Sequence, residues 1–534
     1  MNLPNVKKQD LYSVLLIIFI FIALRFLFIC FTPYSFNCEE AKTASLGCDL
    51  IFENGLKLPV WGYMDSPHSG GSLLAGISAI PFYCIFGNRY LALKITALSY
   101  SVVTVILWYI LISHEIKNRK KYFFLVFLIL FSFGVPHYFQ KTVILIGNTV
   151  ELMFFNALVI FYFWRIKNNI FLDKKRLFLL GAICGFSFWV QFLSLYLFIT
   201  IILFLLLTKQ LKSVMRYLPY LLTGFIFGTL PLWIYNVQYN WATFTADHQS
   251  LGFSFSLEKF RKIILIDIPA SFHFLDIGKV KAQYFGYALF GLFLAAILIH
   301  MIEYLKKRNE KIEKKFKLES FLILYFIIFI FSMIFTNVPI GGSGITRWNS
   351  MNVQAESYIV CLQPVIFALI LLLCKYAKYI YINSIVGVLL ITGCCVLFLR
   401  PQYNYRMLQP MHSTESNAYE CGFNFFLNPK LFISFEKKVP PELKSYYFEG
   451  AGLAINNLLP IQAVYVSEMT AQLNEKFKTT QFWQGLLLKA LVGHEAERRE
   501  LMDLHYKYLF RILPIEIQGI LNQVYNQQRN APIN

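Results

Sequence analysis

The feature that most constrains this chain is an alternation repeated along most of its length. Apolar runs of roughly 16–25 residues, long enough to cross a hydrocarbon layer, are separated by short loops that hold the charge. The first run is Leu11–Phe31 and the last is Ile385–Leu399. A backbone inside lipid must satisfy its own N–H and C=O groups, so each run is expected to be a helix. The weak two-residue alternation of barrel strands is not the pattern seen. The predicted fold class is an all-α polytopic membrane protein.

Charge supports this and excludes another class. A net charge of +19 in a soluble protein would point to nucleic acid. Here the cations sit in short loops: Lys7-Lys8, Lys117 to Lys121, Lys167 to Arg176, Lys209 to Arg216, Lys306 to Lys317, and Lys375 with Lys378. That is the positive-inside pattern, so nucleic acid is not an expected partner and membrane lipids are. Most of the ten cysteines lie in apolar runs, as Cys394 and Cys395 do, and read as small apolar residues. Cys38 and Cys48 differ, because they flank an acidic pair on the outer side; a disulfide and two thiols are both open. The first run lacks a clear small-residue cleavage site and reads as a retained helix.

Placing the basic clusters inside sets the parity of the crossings. Leu11–Phe31 leads outward, with Arg25 in its outer half, facing protein or snorkelling. Tyr90–Ile112 returns, and the shorter, proline-bearing Ser72–Phe86 is expected to lie along the outer face. Tyr122–Tyr138 and Val143–Arg165 follow, with Gln140, Lys141, Asn148 and Glu151 in or near their outer turn. Leu177–Leu207 is too long for one span and is expected to turn near Gln191. Leu218–Val237, with Pro231 near its outer end, Tyr284–Tyr304, Phe321–Val338, Tyr358–Cys374 and Ile385–Leu399 complete about eleven spans. Residues 401–534 then form a small outer α-helical domain, with helical spacing in Ala490–Phe510. The domain division is therefore 1–400 and 401–534.

Two carboxylates, Glu39 and Glu40, stand a few residues beyond the first run, in a large outer loop from about Pro33 to Asn88. Carboxylates beside a bilayer face are costly unless solvated or employed. Further along come Tyr63-Met64-Asp65-Ser66-Pro67-His68 and Phe86-Gly87-Asn88-Arg89-Tyr90, then Gly228-Thr229-Leu230-Pro231 with Tyr235-Asn236, and Ser357-Tyr358 with Gln363-Pro364. In this order, over residues 10–400, these segments resemble the membrane glycosyltransferases of the C-type fold, in particular the protein-mannosyltransferase and aminoarabinose-transferase-like group. Cys38-Glu39-Glu40-Ala41 looks like that group's aspartate-glutamate-alanine motif. Ser357 stands where the group has arginine, and Arg347 lies ten positions upstream.

The resemblance implies transfer of a hexose or pentose from a polyprenyl-phosphate donor to a lipid, glycan or protein acceptor, on the outer face of a bacterial inner (plasma) membrane, with an endoplasmic reticulum membrane as the lesser alternative. The acceptor must lose a proton as it attacks the anomeric carbon, which assigns a general base to Glu39, with Glu40 as its alternate or orienting partner. The departing lipid phosphate needs charge stabilisation more than protonation, which suits Arg89, Lys94, Lys141 and Arg347. Asp65, His68, Glu151 and Tyr358 complete the expected substrate-binding set, and Gln191 is a weaker candidate. No cofactor is implied. The nine histidines form no pair at ligand spacing, so no metal is expected either, and Asp247-His248 is a lone pair in a loop. Trp61, Trp233, Trp241 and Trp348 read as membrane-interface aromatics rather than sugar platforms. Two non-enzymatic readings remain: a membrane scaffold that kept the fold and lost the chemistry, and a lipid-linked sugar flippase. Against the flippase, no inverted repeat is visible.

Overall fold

The structure is a computed structural model. It describes residues 8–31, 43, 46–47, 50–51, 60–64, 70–87, 90–116, 120–166, 173–207, 211–239, 317–335 and 359–374, with scattered positions in 241–298 and 506–526. The expected 401–534 domain lies almost wholly outside these residues.

The described chain is helical. In chain order the helices are α1 (Lys8–Phe31), α2 (Gly71–Phe86), α3 (Tyr90–Glu115), α4 (Lys120–Leu128), α5 (Pro136–Lys141), α6 (Val150–Ile166), α7 (Lys174–Val190), α8 (Leu195–Leu207), α9 (Leu211–Gly228), α10 (Leu230–Gln238), α11 (Leu318–Phe335) and α12 (Gln363–Cys374). Among the described residues, α1, α3 and α11 are long and apolar enough to cross a membrane, and the bent pair α9–α10 passes the same test together. The chain is therefore a multi-pass membrane protein. The described part carries three or four such spans.

Helix α1 shows how a largely apolar segment acquires two faces. Ile17, Phe21, Arg25 and Phe28 recur at helical spacing and are buried, while Tyr12, Leu15, Phe19, Ile22 and Phe26 form the exposed stripe. Arg25 is fully buried and faces protein. Its Nε donates to Thr142 Oγ1 at 3.1 Å, and its two terminal nitrogens donate to the carbonyls of Ser132 and Phe131. Its guanidinium lies 3.7 Å from the Phe21 ring centroid and 4.2 Å from that of Phe139. Those carbonyls belong to a π-helical turn, Ile129–Phe133, that follows α4. A wide turn leaves carbonyls poorly served by the helix, and the arginine fork supplies donors to them.

Several segments differ from the sequence expectation at glycine and proline. The run expected over Tyr122–Tyr138 breaks at Gly134-Val135-Pro136, where α5 begins. The run expected from Val143 starts at Val150 instead, because the chain turns at Gly147 with φ +81°, a conformation closed to side-chain-bearing residues at little cost. The single span expected over Leu218–Val237 bends by 53° between Gly228 and Leu230. Pro231 has no N–H to offer the preceding turn and its ring crowds that turn's carbonyl, so the helix restarts there.

The long block Leu177–Leu207 does divide at Gln191, which ends α7 and accepts a hydrogen bond from Phe192 N–H through its side chain. The packing of α7 on α9 shows the direction of each piece. A Cβ on Gly181 would lie 2.1 Å from the Leu221 carbonyl oxygen, and one on Gly185 2.1 Å from that of Phe225. From the other side, Gly224 meets the Phe178 oxygen and Gly228 that of Ala182 at the same distance. Contact positions rise together along both helices, so α7 and α9 run parallel. Helix α8 joins the end of α7 to the start of α9 and must run back between their levels. Two small-xxx-small faces thus bring the backbones into direct contact, the arrangement that replaces hydrophobic driving force inside lipid.

Candidate functional site at the helix-end junction

At the end of the bundle marked by Gln191, several chain segments meet without room for side chains. The Gly70 N–H donates to the Trp189 carbonyl at 2.9 Å, and a Cβ on Gly70 would strike the Trp189 indole. The first residue of α2, Gly71, lies against the Gly147 carbonyl so closely that its Cβ would overlap it. The start of α2, the turn before α6 and the end of α7 are therefore locked together through backbone. The 3₁₀ turn Val360–Leu362, which leads into α12, joins them: the Cys361 thiol lies 3.9 and 3.8 Å from the carbonyl oxygens of Asn148 and Thr149.

Charge gathers at this junction. Glu151 occupies the first turn of α6, where the exposed N–H groups of a helix favour an anion. It is fully buried, and its Oε1 accepts a hydrogen bond from Gly147 N–H at 3.1 Å. Lys141, at the end of α5, is half-buried. The Cys361 thiol is within electrostatic reach of both Lys141 and Glu151, and the Tyr100 phenol is within reach of Glu151. Tyr100 shares a 2.6 Å hydrogen bond with Ser78 of α2. Lys94, in the first turns of α3, is completely buried. Its neighbours Leu93 and Ala97 pack in one cluster with Leu145 and Val150, which flank the Gly147 turn. A lysine and a carboxylate withdrawn from water cost several kcal/mol each without compensation, so their burial at one helix junction is an organised feature.

The described residues between α1 and α2 pack against α2 and α10. A Cβ on Gly47 would meet the Gly76 carbonyl at 2.8 Å, and one on Gly76 would meet that of Thr43 at the same distance. Leu46 and Met64 are buried in one apolar cluster with Leu73, Phe155, Trp189, Val190, Leu232 and Tyr235. Trp61 Nε1 donates to Gln238 Oε1 at 2.7 Å, and its ring lies edge-on to Tyr235. The described part of the loop is thus fastened to the same end of the bundle as Glu151.

Of the residues expected in the site, the structure describes Lys94, Lys141 and Glu151 and brings them to this end. Glu39, Glu40, Asp65, His68, Arg89, Arg347 and Tyr358, and also Cys38 and Cys48, lie outside the described residues. Sequence reasoning missed Tyr100, Ser78 and Cys361. Each sits inside an apolar run, where a single hydroxyl or thiol reads as a tolerated core residue, and only tertiary contact shows its place. No known protein family, curated protein or solved structure matches this chain. The functional reading therefore stands on the residues themselves. Among the described residues, no group of three His, Cys, Asp or Glu is placed to hold a metal ion. The junction combines two cations and one anion, and carries the acid as a fixed, backbone-tethered group.

Proposed function

We propose that this chain is a membrane glycosyltransferase. It moves a sugar from a polyprenyl-phosphate donor to an acceptor at the Gln191 end of the bundle. The observation that carries this reading is the burial of Lys94 with Glu151 and the half-buried Lys141, where helix ends converge beneath the first outer loop. Lys94 and Lys141 suit the departing lipid phosphate, whose negative charge grows as the glycosidic bond breaks. Glu39, with Glu40 beside it, is the proposed general base, carried by the loop whose Thr43, Leu46 and Gly47 dock on α2. Glu151 shapes the turn that presents Lys141 and balances the local charge. Arg89, Arg347, Asp65, His68 and Tyr358 are the further proposed donor and acceptor contacts, and the site faces the periplasmic side of a bacterial inner membrane.

The test is sugar transfer from a panel of polyprenyl-phosphate sugars, in membranes holding equal amounts of wild type, Glu39→Gln or Lys94→Met. Wild type is expected to transfer from one donor class, and both variants to lose transfer. Donor-independent silence of the wild type, with lipid, glycan and protein acceptors all supplied, would refute the enzyme and leave the scaffold and flippase readings.

A further inference from the structure

Helix α9 does not continue straight to the Gln191 end. Gly228 lies beside Ala182 and Phe186 of α7, about a turn and a half short of Val190. From there the chain leans by 53° for the nine residues of α10. At 1.5 Å per residue, α10 climbs about 8 Å along the direction of α9 and moves about 11 Å sideways. Its far end therefore reaches the level of Gln191 and goes no further.

The two faces of α10 differ in what they meet. Leu232, Tyr235 and Asn236 are buried, with Leu232 and Tyr235 in one cluster with Leu46 and Met64 of the first loop and Trp189 and Val190 at the end of α7. Leu230, Trp233, Ile234 and Val237 are exposed, Val237 at 70 %. This row continues the exposed apolar row of α9, Leu222, Ile226 and Phe227, across the bend. After Gln238 the backbone closes on itself: Trp241 N–H donates to the Asn236 carbonyl, and Thr243 N–H donates to Asn236 Oδ1. That closure gives Trp241 a φ of +61° and sets its half-exposed ring edge-on to Trp233. Trp233 stands within the row, its Nε1 donating to Thr229 Oγ1 at 2.9 Å, and Trp241 stands beyond its end; an apolar row bearing amphipathic indoles is the pattern of a helix seated where headgroups meet acyl chains.

We infer that α10 is a lipid-seated elbow: it lies obliquely in the headgroup–acyl boundary of one leaflet, with Leu230, Trp233, Ile234 and Val237 against lipid and its opposite face holding the first outer loop. The occupant of the exposed face is phospholipid, because the face continues the exposed apolar row of α9, with which α10 makes one bent candidate span. This assignment is independent of the proposed chemistry.

The experiment uses the full chain in bilayer discs of phosphatidylcholine, brominated either near the carbonyl end of the acyl chains or near mid-chain. Tryptophan emission of wild type is compared with that of a W233F/W241F variant, so that the difference reports these two rings. The expected result is a difference signal quenched more strongly by the shallow bromines than by the deep ones. Stronger quenching by the deep bromines would overturn the inference, since α10 would then run toward the bilayer centre. No quenching by either lipid would also overturn it, since the face would be covered by protein, a second copy included. W241F alone, at a ring outside the helix, gives the same reading if the double variant does not fold.

Discussion

Gly185→Ala is the sharpest test of the parallel α7–α9 contact. The added methyl group would sit 2.1 Å from the Phe225 carbonyl oxygen, where real contacts begin at about 3.0 Å. The atom in the way is backbone, so no rotamer change relieves the clash, and the helices must separate locally by about 0.9 Å. Overpacking of this kind costs about 1–3 kcal/mol, and the rigid neighbour places the expectation in the upper half of that range. Gly291 is the control. It is helical and exposed, with nothing within 4 Å of its would-be Cβ, so Gly291→Ala should stabilise by about 0.5–1 kcal/mol through helix propensity alone. The two substitutions are chemically identical and are expected to have opposite signs. The pair Gly181→Ala with Gly185→Ala should cost less than the sum of the single changes, because helices already parted by one methyl accommodate the next. Unfolding of the purified protein by a graded detergent titration reads all four. Equal effects at Gly185 and Gly291, or stabilisation at Gly185, would refute the close parallel contact.

Arg25→Met should lose about 1–3 kcal/mol for each carbonyl left without its donor, and Arg25→Lys should recover only part, since one ammonium cannot reach three acceptors at once; the same detergent titration measures both, and a neutral Arg25→Met would refute the brace. Glu151→Gln keeps an acceptor for Gly147 N–H and should fold, whereas Glu151→Ala should lose about 0.5–1.5 kcal/mol; equal stability of the two would show that this bond does not hold the turn. Lys94→Met should abolish sugar transfer in protein that reaches the membrane at wild-type level; retained transfer would remove Lys94 from the site.

The membrane class was legible because run length and loop charge are one-dimensional properties. So was the break at Gln191, since no helix of ordinary length accounts for Leu177–Leu207. The late start of α6 and the break after Phe133 were not read, although Gly147 and the Gly134-Val135-Pro136 triplet mark them. In an apolar run a lone glycine fits a helix as readily as a turn, and only its contacts decide. The motifs Gly181-xxx-Gly185 and Gly224-xxx-Gly228 were also in plain view, but their partnership joins segments about forty residues apart. Lys141 and Glu151 stood out as charges at the ends of apolar runs. Tyr100, Ser78 and Cys361 did not, because their polarity matters only once α2, α3, α6 and the turn before α12 meet.

The parallel arrangement of α7 and α9 also constrains how this protein is made. Two neighbouring helices that run the same way cannot be delivered as a hairpin. Helix α7 is made before the partner its glycine face needs. Helix α8 must then run back along α7, and α9 must follow, before Gly185 can meet Phe225. During synthesis the glycine face of α7 therefore waits for a partner that follows about forty residues later. A change within α8 that stops it from running back would leave α7 and α9 pointing in opposite directions, and the contact would be lost although every residue that forms it is intact.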